Sequence, residues 1–216
     1  MARKDPLKAH RDKRDVGRTP GPEGEGGGAG REGPIFVIHK HQARTLHYDF
    51  RIEVDGVLKS WAVPKGPSTD PRDRRLAVPT EDHPMDYAAF EGVIPEGSYG
   101  AGAVIVWDTG RYRNLKRDGA GREVPMAKAL EDGHVEIGLQ GRKLHGGYAL
   151  IRTGKPEDRR WLLVKKRDEG ADARRNPTKT EPRSALSGRT IEEVAAEGPA
   201  RGREDQEGNE EETYAR

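Results

Sequence analysis

The sequence predicts a mainly β protein, a small antiparallel β-barrel with a few short helices and flexible termini. Three observations predict it. Several short runs alternate polar and apolar residues with the period of a strand. Turns rich in glycine, proline and Asx residues separate those runs. No regular helical repeat accompanies them, so the strands are joined as hairpins. The chain has 216 residues, 32% hydrophobic and 35% charged, and its apolar residues concentrate between about Ile35 and Val164.

The elements follow in order. Ile35–Ile38 is a short apolar run suited to a buried strand. From His47 to Val54 polar and apolar residues alternate, and Asp55-Gly56 supplies a two-residue hairpin turn into a second strand, Val57 to Val63. That turn fixes the register, with Val54 opposite Val57, Arg51 opposite Ser60 and Phe50 opposite Trp61. Opposed residues share a face. His47, Asp49, Arg51 and Ser60 therefore share the polar face, while Tyr48, Phe50, Trp61 and Val63 share the core face. The prolines of Pro64–Pro71 mark a loop, and the segment from Arg72 to Pro79 holds a short strand. Glu81–Phe90 reads as a loop with a helical turn. The glycine-rich stretch from Gly92 to Gly102 reads as hairpin geometry, and lacks the context of a nucleotide-binding loop. Ala103–Asp108 is a strand that turns at Asp108-Thr-Gly110. Met126–Asp132 suits a short helix. His134–Leu139, Lys143–Arg152 and Trp161–Lys165 complete the strands. Ser187–Ala196 reads as a capped helix, with Thr190 as N-cap and Glu193 three residues on.

Composition divides the chain into a basic arm and glycine-rich linker at 1–30, a folded domain at 31–168, and a polar tail with a possible short helix at 169–216. Residues 1–18 carry seven Lys/Arg against three Asp, and 197–216 carry seven Asp/Glu against three Arg. A basic arm suits a polyanion such as nucleic acid. With no cysteine there is no disulfide framework, and any metal must be held by nitrogen and oxygen. No run approaches the ~20 apolar residues of a membrane span. The expected setting is cytoplasmic, with no membrane partner.

His41, His47 and Asp49 form the first chemical constellation. Two imidazoles and a carboxylate suit manganese, iron or zinc with positions left open. Ordinary strand polars are the plain alternative, since His-x-Asp is a frequent chance pattern. Four of the seven histidines, at 39, 41, 47 and 83, lie close together in sequence. Arg51, Lys65 and Arg75 offer cations for phosphate oxygens, against the alternative of solvated surface charge. His83 is either a further imidazole, a general acid or a loop residue. Tyr87 suits packing or substrate contact. His39 either adds a ligand or supplies a hydrogen bond. His134 and His145 read as structural.

Phe36–Glu53, Lys59–Pro67, Glu81-Asp-His-Pro84 and Phe90–Gly100 closely resemble the 3'-phosphoesterase domain of bacterial DNA ligase D. The likeness runs from about Arg11 to Asp168. It implies a small β-barrel that uses Mn2+ to trim 3' ends, removing a terminal ribonucleoside and then the 3'-phosphate. It implies His41, His47 and Asp49 as metal ligands and Arg51 and His83 at the phosphate. Lys65, Arg75 and Tyr87 would support the site. Arg14 and Asp15 match functional positions of the family's arm, and Ser60 and His39 join the substrate-binding set. The family often has Gln at the place of His39, and Thr-Pro-Glu-Pro where this chain reads Thr19-Pro-Gly-Pro22.

The expectation is thus a Mn-dependent 3'-end-healing phosphoesterase of end-joining repair, acting on DNA or RNA-containing DNA 3' ends. Its partners would be a separate ligase, polymerase and end-binding protein, and its place the nucleoid. No ligase or polymerase sequence follows, which reads as a stand-alone form. Two rivals remain at this point. A non-haem Fe(II) oxygenase would use His47-x-Asp49 with a distant histidine as a facial triad, leaving His41, Arg51, Lys65 and Arg75 without a role. A non-catalytic end-binding module would use the basic arm.

Overall fold

The computed structural model describes Leu7 and residues 33–154 and 160–198. The expectations for the basic arm, its linker and the acidic end therefore lie outside the described residues. Ten strands run in chain order: β1 (Ile35–Gln42), β2 (Leu46–Val54), β3 (Val57–Val63), β4 (Arg75–Pro79), β5 (His83–Pro84), β6 (Gly92–Ile94), β7 (Gly102–Asn114), β8 (His134–Gly141), β9 (His145–Arg152) and β10 (Trp161–Lys165). The helices are α1 (Met126–Asp132), α2 (Pro177–Thr180) and α3 (Ile191–Glu197), with a 3₁₀ turn at Met85–Ala89. Neighbours follow the order β1-β2-β3-β4-β10-β9-β8-β7, and β7 pairs back with β1. That last pairing closes an eight-stranded antiparallel barrel and removes its edges.

The β2–β3 hairpin forms as its turn chemistry dictates. Asp55 and Gly56 both adopt positive φ, 52° and 78°, the conformation of a type I′ turn. Arg51 pairs with Ser60, Phe50 with Trp61 and Val54 with Val57. The inward residues build the core, where Trp61 and Trp161 meet edge to face at 5.7 Å and Tyr48 abuts Trp107 at 5.3 Å. A second, smaller cluster of Val37, Leu58, Met85, Tyr87 and Val106 seals the outer side of β1–β3. The 3₁₀ turn supplies two of those side chains. It walls one side of the polar face.

Three features depart from the sequence expectation. β1 runs on to Gln42, so His39 and His41 belong to the sheet. β7 continues through Asp108-Thr-Gly110 to Asn114, where pairing to β1 and β8 overrides local turn chemistry. The Asp108 carboxylate instead accepts from the backbone N–H groups of Thr109, Arg142, Lys143 and Leu144, closing the β8–β9 turn.

The third is the segment after Asp168, polar by composition, which straps across the barrel. Thr69 donates to the carbonyls of Asp172 and Arg175. Trp107 Nε1 and Lys143 Nζ donate to the Glu181 carbonyl at 2.8 and 3.0 Å. Ile191 and Val194 of α3 bury against Ala103 and Ile105. Most of these ties involve main-chain carbonyls, which composition does not reveal. The helix itself starts where expected, with Thr190 and Glu193 forming a capping box.

Burial of tyrosines gives a pH dependence. Burial pushes the Tyr48 hydroxyl up to about 12 from 10.0, and raises Tyr112 and Tyr148 as well. Unfolded tyrosines lose their protons near pH 10 while the folded ones keep theirs, so rising pH favours the unfolded chain. Lys143, lowered by burial to about 8 from 10.5, acts in the opposite sense between those values. Denaturant stability is therefore expected to fall steeply above pH 10.5, toward 12. A flat profile from pH 9 to 12 would contradict this.

Candidate metal and phosphate site

Register brings the polar side chains together. On the outer face of the sheet His41 lies opposite His47, His39 opposite Asp49, and Arg51 opposite Ser60. His83 on β5 pairs with Leu58, beside Ser60. Strand alternation places all of them on one side.

His41, His47 and Asp49 place one ligand atom each within 4.8 Å of one another. His41 Nδ1 is 3.7 Å from Asp49 Oδ2, and His47 Nε2 is 3.6 Å from Asp49 Oδ1. Donors about 2.1 Å from one divalent ion stand roughly 3–4 Å apart, which both histidine–Asp49 pairs meet. The widest separation in the set, 4.8 Å, closes by a small side-chain shift, so the donor types and spacing fit such an ion. The tautomers are also prepared. His41 Nε2 bonds the Gly100 carbonyl at 2.9 Å, so it carries the proton and leaves Nδ1 with a lone pair. His47 Nδ1 bonds the Thr45 carbonyl at 2.9 Å, which leaves Nε2 free to coordinate. Burial alone would raise the Asp49 carboxyl. The Arg51 guanidinium, then the imidazoles, outweigh it and hold the group well below the ordinary carboxylate range. Asp49 is a carboxylate at any physiological pH.

Arg51 is the hub, with its side chain 4% exposed. Its Nε donates to His39 Nδ1 at 3.2 Å and NH2 to Asp49 Oδ2 at 3.0 Å. NH1 donates to Ser60 Oγ at 2.9 Å and to His83 Nδ1 at 2.6 Å. Four of five N–H groups are thus engaged among the described contacts, leaving one on NH2. Tyr87 lies under the guanidinium, with Arg51 Cζ 5.1 Å from its ring centre, and its ring also packs on His39 and His83. Arginine cannot accept, so His83 Nδ1 accepts and the ring proton sits on Nε2. The Glu81 carbonyl, 2.9 Å from the same Nδ1, favours the other tautomer. The shorter, charge-assisted contact prevails.

His39 is not one of the three clustered residues. It is fully buried, and burial first and Arg51 second lower its pKa to about 3, so the ring is neutral. As a neutral acceptor it fixes the Arg51 side chain. Its Nε2 makes no hydrogen bond of ordinary geometry, and the Tyr87 backbone acts on the ring in the opposite sense to burial, toward a higher pKa.

The register does not bring Arg75 to this face, and none of the described contacts ties Lys65 to it. Lys65 is exposed in the loop after β3. Arg75 shares the core-facing side of β4 with Ala77, at one end of the barrel, and pairs with Asp73 at 2.6 Å. It lines a cavity of about 200 Å³ with Pro67, Ser68 and Arg175. Arg14 and Asp15 lie outside the described residues. His134, read as structural, pairs with Glu136 at 3.2 Å. Sequence reasoning missed Gly100, because its contribution is a backbone carbonyl. The glycine-rich stretch was the available signal: Gly100 adopts φ +77°, and at Gly102 a Cβ would stand 2.0 Å from the Gln42 carbonyl oxygen.

Fold and site together define a small closed β-barrel domain with a candidate metal and anion centre on its outer face. The chain belongs to the DNA ligase D 3'-phosphoesterase domain family, whose model matches residues 39–152. It is 47% identical over 190 residues to the "Multifunctional non-homologous end joining protein LigD" of Pseudomonas aeruginosa, covering 86% of this chain and 22% of that one. The Mycobacterium tuberculosis "Multifunctional non-homologous end joining DNA repair protein LigD" is 45% identical over 158 residues, covering 73% of this chain and 19% of its own. The chain spans about a fifth of the length of these curated relatives. No helix among the described residues is long and apolar enough to cross a membrane.

Proposed function

We propose that this chain is a divalent-metal-dependent phosphoesterase that heals 3' ends, removing a terminal ribonucleoside or a 3'-phosphate from DNA or primer strands during end joining. The observation that carries the reading is the fixed tautomer pair of His41 and His47 around Asp49, set directly beside the buried Arg51. A dication and a guanidinium together carry three formal positive charges against one negative charge on Asp49. The surplus suits a phosphate dianion.

His41, His47 and Asp49 would hold the ion, with Mn2+ favoured by the family. When bound, a divalent ion supplies Lewis-acid neutralisation of a phosphate oxygen. Arg51 keeps one N–H for a second oxygen, and Ser60 and His39 hold its fork in place. His83 carries its proton on Nε2 and would donate a hydrogen bond from it to the leaving oxygen. An iron oxygenase would accept the same ligand set, but it gives no role to the Arg51–Ser60–His83 group. DNA 3' ends are the proposed substrate, with a ligase, a polymerase and an end-binding protein of the repair pathway as partners in a nucleoid setting.

Incubation with Mn2+ and two primers, one ending in a 3'-phosphate and one in a ribonucleotide, tests this. Release of inorganic phosphate and of nucleoside, stopped by a chelator, is expected. No release from either primer, or release indifferent to chelation, would overturn the reading.

A further inference from the structure

β7 does not run beside β1 in simple register. Ile38 pairs with Asp108 and His39 with Val106, so Trp107 is an extra residue and the strand bulges beside His39. A bulge disrupts the ladder, and a buried N–H left without an acceptor is costly. At Val106 both backbone groups find partners away from β1. The N–H donates to Glu91 Oε1 at 2.8 Å, and the carbonyl accepts from the Ala185 N–H, also at 2.8 Å.

The Glu91 side chain is only 8% exposed, which is unusual for a carboxylate. Besides Val106, Ser184 Oγ donates to its Oε1, and Arg189 NH2 stands 3.5 Å from its Oε2. Arg189 is held in turn by Glu197 of α3. Ser184, Ala185 and Arg189 belong to the strap, beyond residues 39–152 that the family model matches. One carboxylate ties the strap to the bulge.

What adjoins Glu91 in the chain supports the site. Gly92 pairs with Val104, Val104 on its other side pairs with His41, and His41 faces His47. The segment after β6 then delivers the Gly100 carbonyl to His41 Nε2, the bond that leaves Nδ1 as the ligand atom. Val106 itself pairs with His39, whose Nδ1 accepts from Arg51. Among the described contacts Glu91 bonds neither histidine, so it acts through backbone register.

We propose that Glu91 is a positioning residue for the His41, His47 and Asp49 centre, and that the strap acts on the centre through it. The carboxylate fixes the bulge at Trp107, and with it the place of the Gly100 carbonyl against His41. Ser184 and Arg189 hold the carboxylate. The effect on turnover rests on the phosphoesterase reading, while the contacts themselves belong to the metal-free chain.

Nitrogen-15 NMR of the histidine rings in the metal-free protein reads the tautomers directly. Wild-type His41 should show the Nε2–H form alone. Glu91→Ala should populate its Nδ1–H form and weaken Mn2+ binding about three- to tenfold, less than the 10- to 100-fold typical of losing a direct partner of a ligand. Glu91→Gln keeps an acceptor for the Val106 N–H and should stay within about twofold of the wild type. His134, on β8 with no described contact to Glu91, is the internal control, because a general loosening of the fold would not single out His41. Ser184→Ala removes the strap's donor to the same oxygen and should shift His41 the same way by less, which keeps the test decisive if Glu91→Ala does not fold. An unchanged His41 tautomer in the folded variants, an equal change at His134, or a glutamine variant as impaired as the alanine one would overturn the proposal. A tautomer shift in a chain whose wild type releases nothing from either primer would retire the phosphoesterase reading and keep the positioning role.

Discussion

Asp49→Asn is expected to lower end-healing activity by about 10³-fold or more, beyond the ~10²–10³ that follows loss of one electrostatic donor elsewhere. The carboxylate has two duties that an amide cannot perform. Its Oδ1 stands 3.6 Å from His47 Nε2 on the ligand side, while its Oδ2 receives the Arg51 NH2 at 3.0 Å. Loss of the charge weakens the ion's site and leaves the buried Arg51 without its counter-charge. His47→Ala separates the two effects. Its side chain is 22% exposed and its lost bond is to a local carbonyl, so the fold should survive while activity falls comparably. Activity within tenfold of wild type in both variants would sink the ligand assignment.

Arg51→Ala is expected to cost about 3–5 kcal/mol of stability as well as activity, because the partners of a buried charge are orphaned together. His39 Nδ1, Ser60 Oγ, His83 Nδ1 and Asp49 Oδ2 all lose their donor. Arg51→Lys keeps the charge but offers a point in place of a fork, so it can meet at most part of that set. Thermal melts and phosphate release measured on both variants check this. A lysine variant with wild-type activity would show that the fork geometry is unnecessary.

The hairpin at Asp55-Gly56 was legible because turn chemistry, alternation and register all speak in the same short stretch. It put Asp49, Arg51 and Ser60 on one face without any long-range information. The extent of β1 was not legible. Lys40 sits between His39 and His41, so three polar residues in a row hide a strand whose two faces are both buried. The continuation of β7 was hidden by Asp108-Thr-Gly110, whose turn signature is spent on capping the β8–β9 turn instead. Lys65 and Arg75 carried charge but no positional signal. Only the pairing of β4 with β3 and β10 shows that Arg75 faces inward, toward Asp73 and the barrel end. The strap over residues 169–198 was obscured because it is held largely through backbone carbonyls and a few apolar anchors. Gly100 was invisible for the same reason.

Titration of the purified chain with Mn2+, followed by electron paramagnetic resonance of the free ion, addresses the centre most directly. One ion should bind per chain in the wild type. His47→Ala and Asp49→Asn should abolish that binding while keeping a cooperative melt. Wild-type stoichiometry and affinity in the folded His47→Ala and Asp49→Asn variants would contradict a metal centre on this face.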